Sequence, residues 1–367
     1  MTRSLKDGII KRGNTWSYVL RVPDPSTGGT KPKWFGGFAT ARDARDARDR
    51  ARIRLTDGMW VEPSKLTVAD YLTDRWLPAM ETVGRRATTL RSYRMHVDQH
   101  IAPRIGRHRL QSMTGDQLNG LYAELLRNGR ADGSGGLSPA TVRRVHAVLN
   151  KALSDAVRWS LLVRNPAATA DPPGKSSGEP NHEVWTADQL AAFLQSVAMD
   201  RLHPLWRLLA TTGMRRGEVV GLRWDDVDLA IGRVAVHRSI VAVGYIPEPS
   251  TPKTARGRRS VALDPQTVAD LRRWKARQAR ERLALGPAWI DTGLVFTRDD
   301  GAAWHPDRIS KLFDAQVAKL DLKRIRLHDL RHTHATLGQV GGVAVGASLG
   351  SSRERGSRRD LGFWFAA

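Results

Sequence analysis

Residues 326–337 read RLHDLRHTHATL, and this stretch decides how the rest of the chain is read. It has the pattern of a helix that carries His328, Arg331, His332 and His334. His328 and Arg331 stand three apart, so they project together. An imidazole can move a proton near neutral pH, and a guanidinium can clamp phosphate oxygens. His328 and His332 also have the i,i+4 spacing that lets two imidazoles hold zinc. The zinc-protease pattern needs Glu after the first His, however, and Asp329 stands there, with no evident third ligand downstream. The expected site therefore holds no metal.

Upstream, residues 211–224 read TTGMRRGEVVGLRW. Gly213 should end one helix, and Arg215 should open the next. Glu218 falls three residues on and can pair with Arg215, so that the guanidinium is presented as a rigid fork to a phosphate. An ordinary surface ion pair would look the same. Between the two boxes, Lys253 lies in TPKTARGRRSVAL at what reads as a tight turn between strands. A lysine there could protonate a leaving oxygen, or be one more exposed cation.

Composition narrows the partner. The chain has 367 residues, with Lys+Arg 59 against Asp+Glu 37 and a formal net charge of +22. Such an excess implies a polyanion, because basic surface releases counterions from a phosphate backbone. No apolar run is long enough to span a bilayer, and no secretory leader opens the sequence, so a cytoplasmic, nucleic-acid-binding protein without a membrane span is expected. With no cysteine, disulfides, thiolate metal sites and cysteine nucleophiles are excluded.

The fold class expected is multidomain and mainly α, with an α+β catalytic domain. Residues 1–58 alternate β-formers with turn residues and then run into ARDARDARDRARIRL. They predict a three-stranded sheet with one charged surface helix, supported by Arg42–Asp46 and Arg45–Asp49 pairs. Residues 64–171 predict a helical domain. Thr67, Thr114 and Ser138 are its caps, Pro103 ends its second helix, Gly129 stops its third, and the helix after Ser138 is its longest. A Pro/Gly/Ser-rich linker covers 172–182. Residues 183–340 predict helices around a small antiparallel sheet, with GLVFT as a short buried strand, and 341–367 an irregular tail.

Taken together, the three chemical stretches resemble the tyrosine recombinase, or phage integrase, family. TGMRRGEVVGLRWDDVD is similar to the family's first arginine box, LHDLRHTHAT to its His-x-x-Arg box, and KTARGRRSV to the segment with its β-hairpin lysine. The resemblance spans about residues 66–337, and the N-terminal segment is similar to the small DNA-binding domain of many phage integrases. It implies double-stranded DNA as partner, at attachment or recombination sites, with self-association on DNA. It implies strand cleavage and rejoining through a 3′-phosphotyrosine, without nucleotide or metal cofactor. Carried over, Arg215 and Arg331 bind the scissile phosphate, Lys253 is the acid for the 5′ oxygen, His328 assists proton transfer, and Glu218 supports Arg215.

The resemblance stops after Leu337. The five tyrosines are Tyr18, Tyr71, Tyr93, Tyr122 and Tyr245, and none follows the His-x-x-Arg box. Family spacing places the nucleophile near Phe363, and Ser351 stands where a second histidine box is expected. Three readings remain: a change of reading frame near residue 337, a divergent tail on a DNA-binding relative, or a nucleophile supplied from elsewhere. Under the first two the chain binds DNA and is catalytically inactive as encoded; a DNA-binding regulator on the same fold is the alternative. Loss of the covering segment would also leave Leu312, Phe313 and Leu330 less well covered.

Overall fold

The structure is a computed structural model that describes residues 8–24, 27–175, 183–244, 246–250 and 259–340. The chain divides into two compact units, Met1–Ser177 and Gly178–Ala367.

The first unit opens with β1 (Ile9–Arg12), β2 (Thr15–Pro23) and β3 (Thr30–Phe38), an antiparallel sheet in the order β1-β2-β3, followed by α1 (Ala41–Thr56). One sheet face, with Ile9, Tyr18, Leu20 and Val22, packs on Ala44 and Ala51 of the helix. The triplet repeat is less of a solvated face than its pattern predicts. A three-residue step drifts around a 3.6-residue helix, so Arg48 is carried inward, where it is 8% exposed and pairs with Asp49 at 3.0 Å.

A second core in this unit belongs to four helices. Residues 68–82 form α2, with a π turn at Tyr71–Trp76. Residues 87–105 form α3, with a second π turn at Val97–Ile101. Then come α4 (Gly115–Asn128) and α5 (Pro139–Arg158). Thr67, Thr114 and Ser138 each accept a backbone N–H as N-caps. As expected, Pro103 lies at the end of α3, in the last turn, which closes at Ile105: the π turn just before Pro103 opens the hydrogen-bond ladder where the proline has no N–H to give. Val68, Tyr71, Leu72 and Trp76 are all buried. Two polar groups are satisfied inside this core. Tyr71 donates to the Ala152 carbonyl at 2.6 Å, and Trp76 Nε1 donates to Asp155 at 2.9 Å.

The second unit contains α6 (Ala187–Ser196), α7 (His203–Thr212), α8 (Arg216–Val220), then strands β4 (Val227–Asp228), β5 (Arg233–Val236), β6 (Ser239–Val243), β7 (Ile246–Ser250) and β8 (Arg259–Ala262). Helices α9 (Pro265–Leu285), α10 (Pro306–Val317) and α11 (Asp329–Val340) complete it. Helix α5, at 20 residues, is the longest of the helical domain, as expected, and α9 has 21. The strands form two sheets rather than one, β4-β5-β8 and the hairpin β6-β7.

GLVFT is buried as expected but is not a strand. Leu294 and Thr297 make only isolated bridges, to Arg223 and Ala303. The Val295 amide donates to the Leu222 carbonyl, Arg201 takes the Thr297 carbonyl, and side chains of α9 take two more. Trp274 Nε1 donates to the Val295 carbonyl at 2.5 Å, and Gln278 Nε2 donates to the Leu294 carbonyl at 3.1 Å. These bonds satisfy the buried carbonyls without a neighbouring strand.

The expected loss of cover is also corrected. Phe313 is 0% and Leu330 1% exposed, while Leu312 is partly buried. Trp185, Phe193 and Trp206 surround Phe313 with ring centroids 5.9, 5.3 and 6.0 Å away, so this core closes on residues of α6, α7 and the segment before α6. Full burial of one such side chain contributes roughly 1.5–3 kcal/mol.

Candidate active site

Helix α7 ends at Gly213, whose φ of +58° reverses the chain. Only glycine adopts this left-handed turn without strain, and the turn delivers Arg215 to the mouth of α8. Helix α8 then lies almost flat on β6. A Cβ on Gly217 would fall 2.6 Å from the Ile240 carbonyl oxygen, and one on Gly221 2.8 Å from the Ile240 amide. These two glycines therefore set the depth at which Arg215 sits.

Glu218, 4% exposed, is the hub of the site. Its Oε2 accepts from the Arg215 backbone N–H at 2.8 Å, and its Oε1 from the Arg215 guanidinium at 2.9 Å. From the other side Arg259 donates through Nη2 to Oε2 at 2.7 Å and through Nη1 to Oε1 at 3.2 Å. Burial alone would raise the Glu218 carboxyl. The hydrogen bonds from Arg259 and Arg215 outweigh it and hold the group below its ordinary range, so it is an anion.

The second box approaches from α11. Arg331 Nη1 donates to the carbonyl of Gly213 at 2.5 Å, so the turn that presents Arg215 also fixes Arg331. Burial first, and then the like charges of Arg215 and Arg259, push the Arg331 guanidinium below its ordinary value, while Glu218 acts in the opposite sense. Guanidiniums so placed form a cationic cluster that suits a phosphate diester. His334, one turn after Arg331, seals the back. A Cβ on Gly213 would lie 2.7 Å from the His334 ring. Burial pulls the His334 pKa down, against a hydrogen bond that its ring donates to the Ala210 carbonyl.

His328 lies in the turn that leads into α11 rather than within the helix, and it is exposed. Partial burial, His332 and Arg331 lower its pKa, Asp329 opposes them, and Arg215 adds to the lowering. It is thus a neutral imidazole at pH 7, able to accept or relay a proton. Its ring meets that of His332 edge to face, with centroids 5.5 Å apart. Asp329 is turned away to Arg326, accepting from its backbone N–H, Nε and Nη2, each at 2.9 Å. Among the described residues no cluster of three or more His, Cys, Asp or Glu side chains is arranged to hold a metal.

The structure therefore brings Arg215, Glu218, His328 and Arg331 together, whereas Lys253 falls outside the described residues. The sequence reading missed Arg259. Its signal was parity: Arg259 shares a strand face with Val261, which packs on the catalytic core, so the two point the same way. As for a nucleophile, Tyr71 and Tyr122 are buried, with hydroxyls bonded to Ala152 and to His146 Nδ1 at 2.8 Å; Tyr18 is buried against Phe35, and Tyr93 packs on Trp76. Tyr245 and the tail lie outside the described residues.

An arginine box and a His-x-x-Arg box that meet at one turn define a strand-exchange fold, and the comparisons agree. Residues 183–337 match the phage integrase family, and residues 9–50 match the Arm DNA-binding domain. The chain belongs to the phage integrase, or tyrosine recombinase, family. It is 23% identical over 349 residues to a XerC-like tyrosine recombinase of Caldanaerobacter subterraneus subsp. tengcongensis, covering 90% of this chain and 87% of the relative. It is 27% identical over 324 residues to an integrase of Streptomyces ambofaciens, covering 84% and 79%. Among solved structures, the Tn1549 transposon integrase with transposon right end DNA superposes at a TM-score of 0.60 with 18% identity, over 75% of this chain and 87% of that one. A lambda integrase dimer on a core site superposes at 0.53 with 17% identity, over 92% and 89%. Among the described residues no helix is long and apolar enough to cross a membrane.

Proposed function

We propose that this protein is a site-specific DNA recombinase by descent, which grips a phosphate of its target site with Arg215 and Arg331, and that this 367-residue polypeptide binds without cutting. The observation that carries the first half is the bonding at the α7–α8 turn. Glu218 holds Arg215, the Gly213 carbonyl holds Arg331, and His328 stands beside them as a neutral proton carrier. Attack on a phosphodiester builds negative charge on the non-bridging oxygens, and two fixed guanidiniums stabilise it without a metal. Lys253 is assigned the proton for the leaving 5′ oxygen. The partner is double-stranded DNA, as for the integrases solved on DNA, and copies of the chain meet on that DNA, as the lambda integrase dimer does; the cytoplasm is the compartment we assign to it.

The second half rests on the nucleophile. No tyrosine and no histidine follow His334 in the sequence, and the phenols of Tyr71 and Tyr122 are spent in a core. A nicked duplex carrying the target site, which traps any covalent intermediate, tests both halves. The expected outcome is a retarded, salt-sensitive complex that falls apart in denaturant. A denaturant-resistant protein–DNA adduct would overturn the assignment of inactivity. Failure to discriminate any site from random duplex would overturn the recombinase reading itself.

A further inference from the structure

The two arginines of the proposed phosphate site are not supported equally. Arg331 is fixed by a backbone carbonyl, whereas Arg215, with a side chain 54% exposed, is fixed by a single carboxylate. A long exposed side chain held by one carboxylate loses rotamer entropy on ordering, and an exposed pair of this kind is worth little by itself. Something must hold that carboxylate in place.

We infer that Arg259 is the positioning residue for Arg215, and that the unit which presents the phosphate-binding fork is the Arg259–Glu218–Arg215 chain; the inference rests on the phosphate-site reading above. The Arg259 side chain is only 13% exposed, and its two terminal nitrogens lie on the two oxygens of Glu218 in a bidentate fork. That geometry fixes the carboxylate plane, which a single hydrogen bond would leave free to turn. With its plane set, Glu218 offers one oxygen to the Arg215 amide and the other to the Arg215 guanidinium. The first two members of the Arg259–Glu218–Arg215 chain are anchored in regular structure. Arg259 faces Val236 in the β5–β8 ladder, and Glu218 is in the first turn of α8. Because its terminal nitrogens are turned to Glu218, Arg259 acts through Arg215 and not as a phosphate ligand.

A coupling follows from the placement. Arg259 is the first residue of β8, immediately after the segment 251–258 that includes Lys253. The contact that orients the phosphate-binding arginine is thus also the point where the lysine-bearing segment enters the sheet.

The test is a phosphate-by-phosphate reading of binding. A duplex enriched from a random library by the wild-type chain is synthesised with one neutral methylphosphonate at each position in turn, and the position that most weakens wild-type binding is identified. The expected penalty there is about tenfold or more, as for loss of one charge-assisted contact. Arg259→Gln should shrink that penalty as far as Arg215→Ala does, while leaving the penalties at other phosphates unchanged. Arg259→Lys should restore part of it. The double variant R215A/R259Q should lose no more than R215A alone, as residues acting in series do.

A full penalty in Arg259→Gln, or additive losses in the double variant, would overturn the inference. If Arg215→Ala and Arg331→Ala also leave the penalty intact, the phosphate-site reading has failed instead. Should Arg259→Gln not fold, Glu218→Gln and Arg259→Lys carry the same comparison, with the same two outcomes.

Discussion

At the scale of the residue, Glu218 is the group on which most depends. Its carboxyl lies below the ordinary value of 4.5. The stabilisation it gives is complete above that value and is lost as pH falls through the folded-state pKa, because the unfolded chain takes up the proton first. His328 and His334 are also depressed, from an ordinary 6.5, so acid removes stability through them at a higher pH, as the unfolded state binds protons the folded ring refuses. In a histidine-resolved NMR titration both should show midpoints below 6.5, and a His328 midpoint above that value would contradict the geometry. Glu218→Gln should cost about 3 kcal/mol in denaturant unfolding, since it strips the counter-charge from the largely buried Arg259. A loss under 1 kcal/mol would mean that the ion pair is structurally idle.

At the scale of the element, the α7–α8 turn is the part least tolerant of change. Gly213→Ala adds a Cβ at positive φ and drives it against the His334 ring. The expected loss is roughly 1–3 kcal/mol, together with a weakened grip on DNA as Arg331 and Arg215 drift apart. Unchanged melting and unchanged site affinity would refute the role given to the turn. The sequence declared this turn openly, since a Thr-Gly pair between two apolar helical runs has few other readings. Caps were just as legible, because Thr67, Thr114, Ser138 and Thr186 each precede a helix by the same chemistry. Other features were hidden because they depend on partners distant in sequence. GLVFT has strand composition, yet its carbonyls are taken by Trp274 and Gln278, which no local pattern announces. Arg48 looked solvated because the triplet repeat conceals the slow rotation of its face. Arg259 stands in an arginine-rich stretch, and the parity it shares with Val261 gains meaning only once the β5–β8 register and the contact with Glu218 are seen.

At the scale of the whole molecule, charge dominates. A formal excess of +22 predicts affinity for DNA that falls steeply with salt. If six or more phosphates are neutralised, raising salt from about 50 to 200 mM should cost on the order of 10³ in affinity, read as a linear double-logarithmic plot. A flat plot would mean that the basic surface serves something other than a nucleic-acid backbone.

The meeting of Arg215, Arg259 and Arg331 around one carboxylate has a thermal consequence. Burial of Arg331 and, after it, the like charges of Arg215 and Arg259 work against its charged form, and Glu218 offsets them only in part. A multivalent anion that bridges these guanidiniums should therefore stabilise this unit. Sulfate or a short polyphosphate should raise the melting temperature of the wild type more than chloride at equal ionic strength, and that advantage should disappear in Arg331→Ala. An anion that bridges these arginines would, in that sense, act as part of the fold of this unit.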